Sequence, residues 1–469
     1  MSEELSRRKF LKVATSAAAG LVLASCAMAV KPAPSAGGQG AAEPTDNAAV
    51  PPGTRNVTLQ YYIGFGAGGN PDQMKAVSTL FAQFCDSSKG AVKAVEPQVV
   101  AWADAPQKLT SMVAAGAPPD VITMGMSQWD FAAKGAFIDI NPLAAAENLD
   151  LKQWDQAAID GYTVPAKNNM LYGLPFGAND EFLVVNKTLF NKAGIDLPPI
   201  QWDDASWTID SLLDKAGKLT TGVGANKNWG VLGIGADWNL PWIYGGAWVD
   251  DNLEKILIDQ SSSIEGFQLN YDLMYKYKVM PTAAQSQALN NGFLSGKVGM
   301  VLDGAWSIGA YLGIKDFEWD IYPVAIGPGT DLHKRAQPYY PDALVISSKN
   351  AVQESWDLIK VLLLNDENYK AFLKIMSEVP ARKSFRDWFV LDFWKATDPT
   401  KNFDVVMEGF GYAQVQKLFF NINWSEANTT EAAALSSVWT GTDTVAAVVP
   451  PLSKRLQEIW TLGNEQMKK

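Results

Sequence analysis

The sequence predicts an α/β fold with an open sheet built from parallel βαβ units. Three observations carry that expectation. Short runs alternate apolar and polar residues, amphipathic stretches separate those runs, and Gly, Pro or Asn marks the junctions. Val57, Leu59, Tyr61 and Ile63 give the pattern of a half-buried strand. The glycine-rich stretch 64–69 follows as a loop. Asn70 is placed to cap a helix with Pro71 at its first position, and Met74, Val77, Leu80, Phe81 and Phe84 fall on one face of it. A second strand is expected near Val92–Val100 and a helix from about Pro106 to Ala115. After the break Ala115-Gly116-Ala117-Pro118-Pro119, a short buried strand is expected over Asp120–Met124. Ser127 then caps a helix carrying Trp129 and Phe131, ended by Gly135. Open α/β sheets bind ligands beyond the carboxyl ends of their strands. The segments 64–69 and 125–129 lie at such ends.

Further along, Met170–Phe176 and Phe182–Asn186 read as two strands flanking a polar turn, Gly177–Glu181. A new α/β region starts there, with Trp202 and Trp207, a helix over Ile209–Leu219, an aromatic segment Asp237–Trp248 and a helix over Ser263–Tyr277. Leu344–Ile346 is a strong strand, and helices follow at about Gln353–Leu364 and Asp366–Met376. The C-terminal part is expected to be helical over Val405–Phe419, Glu431–Leu435 and from Thr444 onward, with Pro450-Pro451 as an interruption.

Composition excludes several kinds of chemistry. The 469 residues carry a net charge of −11. Removing residues 1–25 takes away Arg7, Arg8, Lys9, Lys12, Glu3 and Glu4 and leaves −13. An acidic chain argues against nucleic acid, which rewards clustered Lys and Arg. The single histidine, His333, lies in a polar loop, and the cysteines are only Cys26 and Cys85, which disfavours a zinc site and any Ser-His or Cys-His mechanism. No cofactor is expected. Cys85 sits on the helix after Asn70 and is expected to be a buried thiol. The 17 tryptophans are an unusual number; each is costly to bury without a partner for its N–H and its flat face suits stacking on sugar rings, although most are expected in the core. The loop at 64–69 is no phosphate loop: no Gly-Lys-Ser/Thr follows it, and Gly66 and Gly68 lack the third dinucleotide-loop glycine.

The first residues form a separate signal. Ser6-Arg7-Arg8-Lys9-Phe10-Leu11-Lys12 is basic with paired arginines, and Val13–Ser25 is uncharged but too short to span a bilayer. The arginine pair resembles a twin-arginine export signal, and Leu23-Ala24-Ser25-Cys26 resembles the bacterial lipobox, in which the cysteine takes a lipid and becomes the new N-terminus. Residues 27–55 are rich in Pro, Ala, Gly and Ser and read as a flexible tether. The expectation is residues 1–25 as signal peptide and 26–55 as lipidated tether, with the folded body held at the outer face of the cytoplasmic membrane.

Several motifs together resemble those of family 1 extracellular solute-binding proteins, the group that includes maltose- and glycerol-phosphate-binding proteins. Ala115-Gly116-Ala117-Pro118-Pro119-Asp120-Val121, Tyr172-Gly173-Leu174-Pro175 and the run Asn186–Ile195 with Pro198 and Trp202 carry the likeness. So do Phe293 with Gly296–Met300, Asp303-Gly304-Ala305-Trp306, Val379-Pro380-Ala381-Arg382, and Val438-Trp439-Thr440-Gly441 with Thr444. Their order holds from about residue 56 to 465. The resemblance implies a periplasmic-binding-protein type II architecture: two α/β lobes joined by crossing hinge strands, with a ligand cleft between them. Lobe 1 would be 56–178 plus 345–400 and lobe 2 would be 182–340 plus 401–469, crossing near Asn179–Glu181 and Asp342–Val345. It further implies a monomer, not an enzyme, that hands a carbohydrate to the membrane subunits of an ABC permease.

A sugar site needs stacking aromatics among carboxylates and amides. Trp306 occupies the stacking position that the resemblance implies, with Trp424 and Trp238 or Trp242 as further aromatics. From the first lobe the candidates are Phe65, Gln128 and Trp129; from the hinge, Asn179, Asp180 and Glu181; after a strand, Asp303. The returning hinge segment departs from the small residues common in relatives. It reads Tyr339-Tyr340-Pro341-Asp342-Ala343, which adds Tyr340 and Asp342 as candidates. A phosphate ligand such as glycerol phosphate would need converging Arg or Lys, which these positions lack, whereas a polyamine stays open. A glycoside hydrolase would need two carboxylates facing each other across a bond, and Asp180 and Glu181 are chain neighbours.

Overall fold

A computed structural model describes residues 56–64, 71–102, 104–289, 292–327, 337–347 and 351–468. The signal, the tether, Cys26 and Phe65 lie outside the described residues. Nine strands form one sheet. β1 (Val57–Ile63) lies between β2 (Val92–Val99) and β3 (Val121–Gly125) and is parallel to both. Parallel strands need crossovers, and the helices Pro71–Ser87 and Ala105–Ala114 supply them. A small hairpin, β4 (Thr163–Val164) with β5 (Met170–Leu171), precedes the long strand β6 (Gly173–Asn186). β7 (Trp229–Val231) runs parallel to β8 (Val298–Gly304), and β9 (Trp319–Tyr322) pairs with β6. β10 (Gln337–Ile346) and β11 (Ala413–Val415) complete the set.

β6 and β10 tie the sheet together. β6 pairs antiparallel with β10 over Gly173–Asp180, then with β8 from Glu181 and with β9 from Leu183. β10 in turn pairs with β11 over Gln337–Tyr339 and with β3 over Asp342–Ile346. Pro341 sits in the gap between those two partners, where a missing N–H costs least. The register slips by one residue between Asp342 and Ala343, a β-bulge at the point where the strand changes company.

The expected polar turn at Gly177–Glu181 is therefore strand. All fourteen residues of β6 are buried, including Asn179, Asp180 and Glu181. Ladder pairing on β10 and β8 satisfies their backbone, so polarity there reflects buried side-chain chemistry and no chain reversal. Three other expectations change. The strand ending at Ile346 begins seven residues earlier than Leu344, at Gln337, because β6 and β11 offer it partners. The stretch Val405–Phe419 is a short helix (Asp404–Gly409), then β11 and a 3₁₀ turn, so strand pairing wins over helical periodicity. The last helix, Val445–Met467, runs straight through Pro450 and Pro451. Its buried face of Val445, Val449, Leu452, Leu456, Ile459 and Trp460 outweighs the two lost backbone bonds.

Most tryptophans are core. Trp154, Trp202, Trp207, Trp248, Trp356, Trp394, Trp424 and Trp460 are all buried almost completely. Several place the indole N–H on a backbone carbonyl: Trp154 on Pro175 at 2.7 Å, Trp202 on Val405 at 2.8 Å, Trp207 on Pro323 at 2.9 Å. Each such bond removes the penalty that otherwise keeps Trp at surfaces. Cys85 is a free thiol only partly buried, with burial still pushing its pKa up.

Candidate functional site

The chemistry gathers where β3, β6, β8 and β10 end or change partners. β3 ends at Gly125, and a 3₁₀ turn, Met126–Gln128, leads away from it. β8 ends at Gly304, and the next turn, Ala305–Ser307, presents Trp306. These elements surround a cavity of about 630 Å³. Tyr340, Pro341 and Asp342 of β10 and Glu181 of β6 form its floor, with Trp238, Trp306, Trp102 and Phe419 among its aromatic walls. Gln73, Gly125, Met126, Ser127, Ala236, Met376, Ser377 and Glu378 complete the lining.

The aromatics divide into rings offered to the cavity and rings that brace them. Trp306 is 39% exposed and Trp102 is 45% exposed, large values for tryptophan. Trp306 meets Tyr340 edge to face, with centroids 5.9 Å apart. The Tyr340 hydroxyl accepts a bond of 2.8 Å from the Asn239 amide, and Gln416 in turn donates to Asn239. Trp238 lies edge-on to Phe419 and to Trp424, each at 6.1 Å. Trp424 itself is buried and packs against Trp248 at 5.5 Å, so it supports the wall from behind.

The acidic groups form two centres. In one, Asn179 donates to Asp342 Oδ2 at 3.1 Å and also to Glu378 Oε2. The shared Asn179 amide brings the two carboxyls together. Burial pushes both carboxyls up, and for Glu378 the neighbouring Asp342 charge adds to it. Two buried carboxyls in contact cannot both ionise cheaply, so the pair retains a proton at neutral pH. In the other centre, Glu181 is held up to about 8, first by burial and then by the charge of Asp303. Its Oε2 is buried with no hydrogen-bond partner among the described residues. No lysine or arginine is among the described residues lining the cavity.

Of the residues predicted from sequence, Glu181, Trp238, Trp306, Tyr340 and Asp342 line this cavity together. Asn179 stands one layer behind, fixed on the carboxyl pair. Asp180 is buried against Gln337 at 3.4 Å, on the strand face opposite its neighbour Glu181. Asp303 bonds its own strand end, Gly304 N at 2.8 Å, and accepts from the Tyr311 hydroxyl. Gln128 and Trp129 do not reach the lining: both are buried, and the Trp129 indole bonds Thr163 O at 3.0 Å. Trp242 faces a separate recess of about 240 Å³ beside Gly245–Val249 and Gln414–Leu418. Sequence reasoning missed Trp102, Gln73, Ser377, Glu378 and Phe419. Trp102 follows the carboxyl end of β2, so the rule that singled out 64–69 and 125–129 would have found it. Glu378 directly precedes the Val379–Arg382 motif and is a lone charge in an apolar stretch.

The chain belongs to the bacterial extracellular solute-binding protein family, whose model matches residues 68–369. A protein of Brucella abortus (strain 2308), described as a binding protein, is 25% identical over 381 residues, covering 77% of this chain and 84% of that one. The architecture is that of type II periplasmic binding proteins. An ABC substrate-binding protein of Listeria monocytogenes, solved in complex with cycloalternan, superposes with a TM-score of 0.74 at 20% identity, over 86% of this chain and 98% of that one. An ABC transporter solute-binding protein of Thermotoga lettingae, bound with α-D-tagatose, gives 0.69 at 20% identity, over 86% and 99%. No helix among the described residues is long and apolar enough to cross a membrane.

Proposed function

We propose that this protein is the substrate-binding lipoprotein of an ABC importer and that it takes a mono- or oligosaccharide in the cavity floored by β6 and β10. The observation that carries this reading is the lining itself. Trp306, Trp238, Trp102 and Tyr340 offer flat apolar faces, while Glu181, Asp342 and Glu378 offer hydroxyl acceptors, all within one cavity of about 630 Å³. That volume suits a ligand of one to a few rings. The sugars held by the Listeria and Thermotoga proteins support the same class. The absence of a cation from the described lining disfavours a phosphate ester.

The lobes are 56–178 plus 345–400 and 182–340 plus 401–469, and they close on the solute about β6 and β10. Ligand shifts that equilibrium by its extra affinity for the closed form, which docks on the permease. Export through the arginine pair and lipidation at Cys26 keep the protein beside that permease. The protein acts as a receptor for its ligand; Asp180 and Glu181, chain neighbours on opposite faces of one strand, do not form the facing pair of a glycoside hydrolase. A thermal-shift screen of mono- and oligosaccharides tests the reading: a sugar at a hundred times its Kd stabilises by about 3 kcal/mol. Trp306→Ala weakens that binding about tenfold. Hydrolysis products, or stabilisation by phosphate esters alone, would overturn it.

A further inference from the structure

We propose that the solute carries a protonated amine, and that the amine lodges against Glu181 within the ring of Trp306, Tyr340 and Trp238. The proposal rests on the reading of this cavity as a sugar site and specifies the class of sugar: a basic amino sugar or its oligomer.

Three observations lead to it. First, the cavity holds carboxyls on both β6 and β10, and no lysine or arginine is among its described lining. Second, Glu181 lines the cavity although it is only 7% exposed, and its Oε2, covered by protein, has no hydrogen-bond partner among the described residues, so the carboxyl is poorly compensated from the protein side. A neutral hydroxyl in the cavity would bond the carboxyl but would not favour its ionised form, which burial disfavours. An ammonium does both, and charge-assisted bonds are the stronger kind. Third, the surroundings of Glu181 suit a cation beyond the carboxylate. Glu181 pairs with Gly304, the residue from which the chain turns to Trp306. Trp306 then meets Tyr340 edge to face. Aromatic faces attract cations, and desolvation strengthens that attraction.

The other centre is unlike this one. Asp342 and Glu378 are already bridged by the Asn179 amide, so each has a donor within the protein. Asp342 pairs with Gly177, four residues before Glu181, so the two centres stand roughly 13 Å apart along the strand. An amine at one end and hydroxyls at the other orient an elongated ligand.

The experiment is calorimetric titration of the full-length protein with free 2-amino sugars and their oligomers, their N-acetylated forms, neutral sugars of matched length, and the sugar-free amines putrescine and spermidine. The expected result is that free amino sugars bind about tenfold or more tighter than their N-acetylated and neutral counterparts. Burial keeps Glu181 largely protonated at pH 6, with Asp303 on β8, Tyr340 on β10 and Asp180 beside it as the titratable groups around it. The preference therefore grows as pH rises from 6 to 7.5 and the carboxylate forms, while N-acetylated ligands show no such growth. Glu181→Gln removes the preference; where that variant does not fold, the pH series on the unaltered protein decides. Equal affinity for amino and neutral sugars overturns the proposal and leaves carbohydrate binding standing. Tight binding of spermidine with none of the sugars overturns the carbohydrate reading and keeps the amine. Failure of every amine, sugar-borne or free, overturns the proposal.

Discussion

Asn179 holds two of the cavity's carboxyls in place. Its amide is the donor that lets Asp342 and Glu378 sit together in a buried wall. Replacing it by leucine removes the donor and leaves both carboxyls in place, at a cost of about 2 kcal/mol at pH 8. At pH 5 the cost is smaller, because protonated carboxyls satisfy each other. Denaturant midpoints of Asn179→Leu at the two pH values check this. The same physics sets the pH response of the ligand-free protein. Asp180, Glu181, Asp342 and Glu378 are all raised above the ordinary carboxylate range, each chiefly by burial. The folded state thus holds protons that the unfolded chain has released. Their stabilising contribution is full below about pH 4 and is lost as pH rises through the raised values, up to about 8 for Glu181. Each group still titrating lowers stability by about 1.4 kcal/mol per pH unit. Ligand-free midpoints measured at pH 5.5, 7 and 8.5 should fall in that order; a rise would contradict the buried placement of these carboxyls.

Elements with one wet face were legible in the sequence. β1 and the helices Pro71–Ser87, Ile209–Leu219 and Asp366–Met376 lie where their periodicity places them, because alternation between core and solvent writes itself into residue type. β6 was not legible as one strand. A strand buried on both faces has no alternation, and the polar run Asn179-Asp180-Glu181 reads as a turn unless distant partners are known. The site was readable for the same reason in part only. Trp306 and Tyr340 stood out by type and position, whereas Glu378 reaches the cavity through a fold contact 199 residues from Asn179. The C-terminal helix was misjudged because the penalty for proline is local while its compensation is tertiary. Pro451 is exposed and denies a bond to the Ala447 carbonyl. Pro451→Ala restores that bond and should stabilise the protein by about 1 kcal/mol, net of the added freedom in the unfolded chain. Loss of stability would mean that the proline, and not the packing, shapes this helix.

For the whole molecule, the decisive fact is that one sheet runs through it. β6 gives its first half to β10 and its second half to β8 and β9, and β10 joins β3 to β11. The proposed lobes therefore share strands, and neither keeps its ladder if the other melts. A single calorimetric transition is expected, with the van't Hoff and calorimetric enthalpies agreeing; two resolved transitions would show that the lobes unfold separately. The distribution of tryptophan has a consequence of another kind. All 17 lie among the described residues, yet only Trp102 and Trp306 are exposed, and both border the acidic cavity. Emission from this protein is thus mostly a constant background with a red component that originates at the cavity mouth. At alkaline pH, where these carboxyls ionise, a caesium ion should quench that component more readily than iodide, and solute should shift it to the blue, so the chain carries its own optical gauge of occupancy.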